Sequence, residues 1–276
     1  MMSKNINLEL DTGTYQSSLL IYFRKFAPIL VFIVFFIFWE LFVRIFHIQE
    51  FILPPPSKVF ESLYQFREPI LQNSLQTLMT TIVGFFIGII IGLIGGVLLG
   101  SSVIIYESFY PALIAFNSIP KVAFIPILVI WFGIGSVPAI CTAFLLAFFP
   151  ILVNVAAGIA TVEPELSDVL RALGATKIQM IRKVGLPRSM PYFFASLKVA
   201  LTVAFVGSIV SETIASNLGV GYLMLVASSR FQTSLAFACL LVTGALGILL
   251  YLICALFERK MTRWTIRETD SVSFSG

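Results

Sequence analysis

Apolar residues in this chain gather into long runs parted by short polar breaks, and the run lengths decide the class of protein. A helix needs about 20 predominantly apolar residues to cross the hydrocarbon of a bilayer. Six stretches meet or approach that length: Ala27 to Val43, Leu78 to Leu99, Phe109 to Phe132, Ala139 to Ile159, Phe193 to Val210 and Leu235 to Phe257. The pattern predicts an all-α membrane protein with six transmembrane helices. Between the first two runs, Pro54-Pro55-Pro56-Ser57 stops any helix and favours extended backbone. Phe60, Leu63 and Tyr64 then recur at helical spacing, which predicts a short helix along the membrane surface.

Three runs carry polar or small residues in telling places. In the first, Glu40 precedes Arg44 by four residues, a favourable order for a helical ion pair. In the second, Gly84, Gly88, Gly92, Gly96 and Gly100 recur at every fourth position and form one flat stripe along a helix. Such a stripe admits the backbone of a neighbouring helix; the alternative is a smooth wall along which a solute slides. The third run contains Asn117, Ser118, Pro120, Lys121 and Pro126. Its Leu, Ile, Val and Phe residues favour insertion by about 5 kcal/mol, and one central lysine returns about 3 of these. That span needs protein or a wet cavity along its polar side. Lys121 is either a functional cation in the solute pathway or a lysine that snorkels at a break made by Pro120.

Composition sharpens the picture. The chain of 276 residues is 58% hydrophobic and 12% charged, against roughly 45–50% and 25% in soluble domains. A net charge of +4 is too small and scattered for nucleic-acid binding, but its distribution orients the chain. With the amino terminus in the cytoplasm, the inner segments carry twelve Lys and Arg residues and the outer ones four, Arg44, Lys58, Arg67 and Arg230. This satisfies the positive-inside rule and places both termini in the cytoplasm. Cys141, Cys239 and Cys254 lie in apolar runs at unrelated spacings, and His47 is the one histidine. No disulfide framework or metal site is predicted.

The longest inner connection, Thr161 to Pro191, has an order of its own. Pro164 suits a first helical position, and Glu163 and Glu165 favour a helix amino terminus. Leu166, Val169, Leu170 and Leu173 follow at i, i+3, i+4 and i+7, one apolar face, and Gly174 is placed to end the helix. Thr176-Lys177-Ile178-Gln179 is a capping box that starts a second helix, predicted to end near Gly185 and Pro187. From the residues alone this is either an interfacial amphipathic helix or a docking element.

The stretch from Asp168 to Gly174, followed after nine residues by Val184-Gly185-Leu186-Pro187, resembles the EAA motif of ABC importer permeases. Asp168-Val169-Leu170 stands where that family has Glu-Ala-Ala. Leu53-Pro54-Pro55-Pro56-Ser57, Ile119-Pro120-Lys121-Val122-Ala123, Trp131-Phe132-Gly133-Ile134-Gly135, and Ser211-Glu212 with Gly219-Val220-Gly221-Tyr222-Leu223 resemble the nitrate, sulfonate and taurine branch. The resemblance covers about residues 50 to 260.

It implies a multi-pass permease of the bacterial inner membrane with a cytoplasmic tail over 1–25, a transmembrane domain over 26–258 and a second tail over 259–276. It implies a coupling helix between helices 4 and 5, in the loop 161–191, that rests on a separate ATPase subunit. Glu165, Leu166, Asp168, Val169, Leu170, Arg171, Leu173, Gly174, Ala175, Thr176, Leu186 and Pro187 are its coupling residues. Asn117, Ser118, Lys121, Asn154, Ser208 and Glu212 are candidates to line the pathway. Glu212 has two readings, a partner for Arg230 or a water-facing carboxylate.

The partners implied are ATP-binding cassette subunits that hold ATP and magnesium, a second permease copy, a periplasmic or lipid-anchored substrate-binding protein, and membrane lipid. The chain has no phosphate-binding Gly-x-x-x-x-Gly-Lys-Ser/Thr motif, so no cofactor and no catalysis are expected of it. The substrate expected is a small anionic or heterocyclic solute. The rival reading is a gradient-driven secondary transporter or channel, for which Pro120 and Pro126 supply one broken helix.

Overall fold

A computed structural model of the chain describes residues 12–160, 169–170 and 172–261. Helix α1 spans Thr12–Ile45, α2 Pro56–Gln65, α3 Arg67–Gly100 and α4 Val103–Ser118. A 3₁₀ turn over Lys121–Phe124 leads into α5, Ile125–Phe132, and then α6, Ser136–Ala160. After the loop that follows α6 come α7, Lys177–Met180, α8, Leu186–Ala215, α9, Val220–Ser229, and α10, Thr233–Met261. No strand occurs among the described residues. Four helices, Arg67–Gly100, Ser136–Ala160, Ile178–Ala215 and Thr233–Met261, are long and apolar enough to cross a bilayer. The pair Ile104–Ser118 and Lys121–Phe132, bent by 73°, makes a fifth crossing when counted as one span. Pro120 explains the break, because it lacks an amide hydrogen and drives Ile119 before it out of the helical region, to φ −75° and ψ 125°.

The centre of the molecule is the contact of α3 with α6. A methyl group built on Gly84 would sit 2.6 Å from Ala143 Cβ, on Gly88 2.8 Å from Ala147 Cβ, and on Gly92 2.9 Å from Ile151 Cβ. Gly96 and Gly100 meet Val155 and Ile159 in the same way, at 2.7 and 2.8 Å. Each contact steps four residues along both helices, so the two run parallel in constant register. Around this seam lies the main core, with Phe85 of α3, Ala143 to Ile159 of α6, Leu197 to Phe205 of α8, and Leu250 and Cys254 of α10. A second core joins Val59 of α2, Ile70 of α3, Val220 and Ala227 of α9, and Leu235, Ala238 and Cys239 of α10. Outside these cores α1 is exposed along Ile29 to Phe35 and beyond. An apolar surface of that extent belongs against lipid or protein.

Two boundaries differ from the sequence reading. The second loop helix does not end near Gly185 and Pro187. It passes through a π-helical turn, Ile181–Gly185, into α8, so Ile178–Ala215 is one helix of 38 residues. Pro187 falls in the first turn of α8, where a missing amide is tolerated, and the wider turn before it absorbs the mismatch. Helix α9 was not anticipated, because its ten residues are too few to cross a bilayer and look like outer loop.

The seam makes a sharp prediction. Gly92→Ala places a methyl group 2.8 Å from the Phe148 carbonyl oxygen, an overpacking that costs about 1–3 kcal/mol. Gly244→Ala meets nothing within 4 Å and gains helix propensity, about 0.5–1 kcal/mol. Thermal melting of the detergent-purified protein should fall for the first and hold or rise for the second.

Candidate functional site

At the break between α4 and α5, Lys121 is 8% exposed. Its ammonium donates to Asn117 Oδ1 at 2.6 Å and to the Asn117 carbonyl at 2.5 Å. The rings of Phe149 and Phe116 lie 5.4 and 5.8 Å from it. A cation at the carboxyl end of a helix complements the free carbonyls there, and the two rings offer their negative faces. An ammonium carries three donors, so this arrangement leaves one for a ligand or water. Asn117 and Ser118 are exposed beside it, Ser118 bonding back to Ile114 O at 3.0 Å. Asn154 is half-buried and donates to Pro150 O within its own helix at 2.8 Å.

Glu212, near the end of α8, is neither a water-facing carboxylate nor the partner of Arg230. It is 1% exposed. Its Oε2 accepts from Thr77 Oγ1 at 2.7 Å and from the Gly221 amide at 3.3 Å. Its Oε1 accepts from Thr80 Oγ1 at 3.2 Å and Ser208 Oγ at 3.4 Å, and these two hydroxyls are themselves bonded. Thr77 Oγ1 also accepts the Val220 amide at 2.9 Å, and Asn73 Oδ1 accepts the Gly219 amide at 2.7 Å. Ser208 is therefore inside this sealed cluster. Asn73, Thr77 and Thr80 were missed by sequence reasoning, and Gly219 was read only as part of the Gly219-Val220-Gly221 segment. The available signal was the polar stripe of Asn73, Thr77 and Thr80 at i, i+4 and i+7, two of them at the head of an apolar run.

A second carboxylate works similarly at the end of α1. Glu40 Oε1 accepts from Arg44 Nε at 2.6 Å and Ser57 Oγ at 2.9 Å, while Oε2 accepts the Ser57 amide at 3.0 Å. The expected Glu40–Arg44 ion pair is present, at 2.6 Å. The link to Ser57 adds a function to the proline-rich motif, since it fixes the first turn of α2 on α1.

In the loop between α6 and α7, Glu165, Leu166, Asp168 and Arg171 lie outside the described residues. Val169 and Leu173 are 56% and 77% exposed and Leu170 is half-buried. Gly174 has φ +79°, a conformation that suits glycine, and the Ala175 amide returns to Leu170 O at 3.0 Å, a helix-ending bond. The capping box is formed: Thr176 N donates to Gln179 Oε1 at 2.8 Å and Gln179 N to Thr176 Oγ1 at 3.3 Å. Leu186 is half-buried and Pro187 exposed.

Residues 84–263, which include the 168–187 motif and the Ser-Glu and Gly-Val-Gly segments, match the family of binding-protein-dependent transport system inner membrane components. The chain belongs to that family. It is similar to a probable ABC transporter permease of Haemophilus influenzae, 31% identical over 228 residues that cover 83% of this chain and 93% of that one. It is also similar to the riboflavin transport system permease of Chloroflexus aurantiacus, 34% identical over 83% of this chain and 86% of the other. Its relatives include permeases named for aliphatic sulfonates, taurine and nitrate. In fold it resembles the inward-facing MetNI methionine ABC transporter, with a TM-score of 0.62 and 24% identity over 71% of this chain and 97% of that one. The chain is thus the permease subunit of an ABC importer of small solutes, and the gradient-driven alternative finds no support among these relatives.

The carboxyl cluster tolerates no atom at Gly219. Its φ is +113°, which side chains other than glycine rarely adopt, and a methyl group there would land on the Glu212 carboxyl carbon. Gly219→Ala should lose more than about 2 kcal/mol through strain and overpacking together. The check is the yield of folded permease in membranes, which should drop severalfold.

Proposed function

We propose that this permease works as one of two copies in a bacterial inner-membrane importer, with six spans and both termini cytoplasmic, and that 161–191 is the element driven by a separate ATPase. Helix α1, the broken α4–α5 pair and the four long helices make up the six. A periplasmic or lipid-anchored binding protein delivers the solute at the outer face, and the ATPase subunits hold ATP and magnesium. The observation that carries the coupling role is the surface of the inner loop. Val169, Leu173 and Ile178, the last 78% exposed, stand out as apolar residues beside a glycine-ended turn and a closed capping box, on the side rich in Lys and Arg. A rigid apolar knob transmits a push, whereas a flexible loop absorbs it. Glu165, Leu166, Asp168 and Arg171 extend the same contact in this reading.

Leu173→Asp tests it, because the side chain is exposed and the fold has no need of it. In proteoliposomes with the cognate ATPase and binding protein, uptake should fall at least tenfold while permease abundance is unchanged. Unaltered uptake and ATP hydrolysis would remove the coupling role.

For the solute, the permease relatives named for riboflavin, taurine, sulfonates and nitrate point to a small anion or a heterocycle. Asn117, Ser118 and Lys121 form the proposed polar side of the pathway, with Asn154 on the adjoining α6. Lys121 supports an anionic group on the solute, since among the described residues its ammonium bonds only to Asn117 and keeps a third donor. Lys121→Met keeps the aliphatic stem and removes the charge. It should cut uptake of an anionic solute by roughly tenfold, about 1.4 kcal/mol, and leave a neutral one near its original rate. Equal uptake of every anion tried would exclude Lys121 from the pathway.

A further inference from the structure

Helix α9 begins with three backbone amides that no turn of its own can satisfy. All three are taken by side chains of other helices. The Gly219 amide goes to Asn73 and the Val220 amide to Thr77, both on α3, while the Gly221 amide goes to Glu212 on α8. Glu212 binds the arrangement together, since its carboxyl group also takes Thr77, Thr80 and Ser208. Close packing reinforces the bonds: Gly219 lies against the carboxyl carbon, and a methyl group at Gly221 would stand 3.0 Å from Glu212 Cβ. Among the described residues no cation bonds to Glu212. The cluster is buried, with Thr77 and Ser208 at 0% exposure.

We infer that Glu212 is a positioning residue that fastens α9 to α3 and α8, so that these three helices travel as one body while the permease changes shape. Geometry makes the role one of hydrogen bonding and not of charge. Around Oε1 the partners are hydroxyls of Thr80 and Ser208, which accept as readily as they donate. Only around Oε2 does an obligate donor, the Gly221 amide, demand an oxygen. A glutamine therefore fits, with its carbonyl in the Oε2 position and its amide turned towards the two hydroxyls. An alanine leaves the Gly221 N–H without its acceptor in a buried place, and leaves the Thr77 hydroxyl only the Asn73 carbonyl of its own helix, at 3.1 Å.

The inference stands on family membership and needs neither the proposed orientation nor the proposed coupling contact. Its test compares Glu212→Gln and Glu212→Ala in the assembled complex, by backbone hydrogen exchange over 216–224 and by the number of solutes imported per ATP hydrolysed. Glu212→Gln should keep native protection and at least half of native uptake. Glu212→Ala should speed exchange at the start of α9 at least tenfold, leave α6 unchanged, and lower import per ATP several-fold while hydrolysis continues. Should Glu212→Ala fail to assemble, the Asn73→Ala/Thr77→Val pair removes two of the three amide acceptors with the carboxyl left in place, and the same changes are expected of it. Loss of uptake in Glu212→Gln equal to that in Glu212→Ala would overturn the inference in favour of a role for charge or a proton. Native protection of α9 in Glu212→Ala, or in the pair, would overturn the fastening itself.

Discussion

The structure depends on the distance between two backbones. Where α3 meets α6, each turn of one helix puts a glycine against an alanine, isoleucine or valine of the other, with no room for a further carbon. In a bilayer apolar area gives little reason for helices to associate, because lipid tails are as apolar as side chains, so dispersion across a close contact has to supply it. Placed centrally, the seam brings α8 onto α6 and closes the main core. Helix α1 is held less tightly, with Ile29 to Phe35 exposed.

Polar bonding complements that apolar seam. In hydrocarbon an unsatisfied amide is expensive, and the two short surface helices would each expose several. Both are met by carboxyl groups from long helices, Glu40 for α2 and Glu212 for α9. A different tie, the ion pair of Lys198 with Glu258 at 2.7 Å, joins α8 to α10. Short elements are thus fixed by side chains reaching across from elements that are stable in their own right.

Much of this was legible in the sequence. Run lengths and missing charge gave the all-helical membrane class, and Pro120 marked the broken span because its chemistry acts locally. The capping box was legible for the same reason, both partners lying within four residues. What escaped reading was long-range. The four-residue rhythm of the glycines is visible, but nothing in it says that α6 is the neighbour. Glu212 looked like a surface acid near a helix end; its partners Thr77 and Thr80 are more than a hundred residues away. The end of the second loop helix was misplaced because Pro187 and Gly185 are breakers by propensity, while a single wide turn lets the helix continue through them.

That wide turn has a mechanical outcome. With Ile178–Ala215 unbroken, the stretch of chain leaving the loop after α6 and the stretch bearing Glu212 are two ends of a single rod about 57 Å long at 1.5 Å per residue. Pivoting such a rod by about 10° at one tip sweeps the opposite tip sideways by about 10 Å. Leverage of that order is the width of a helix, and it is available without unwinding any residue between the two ends.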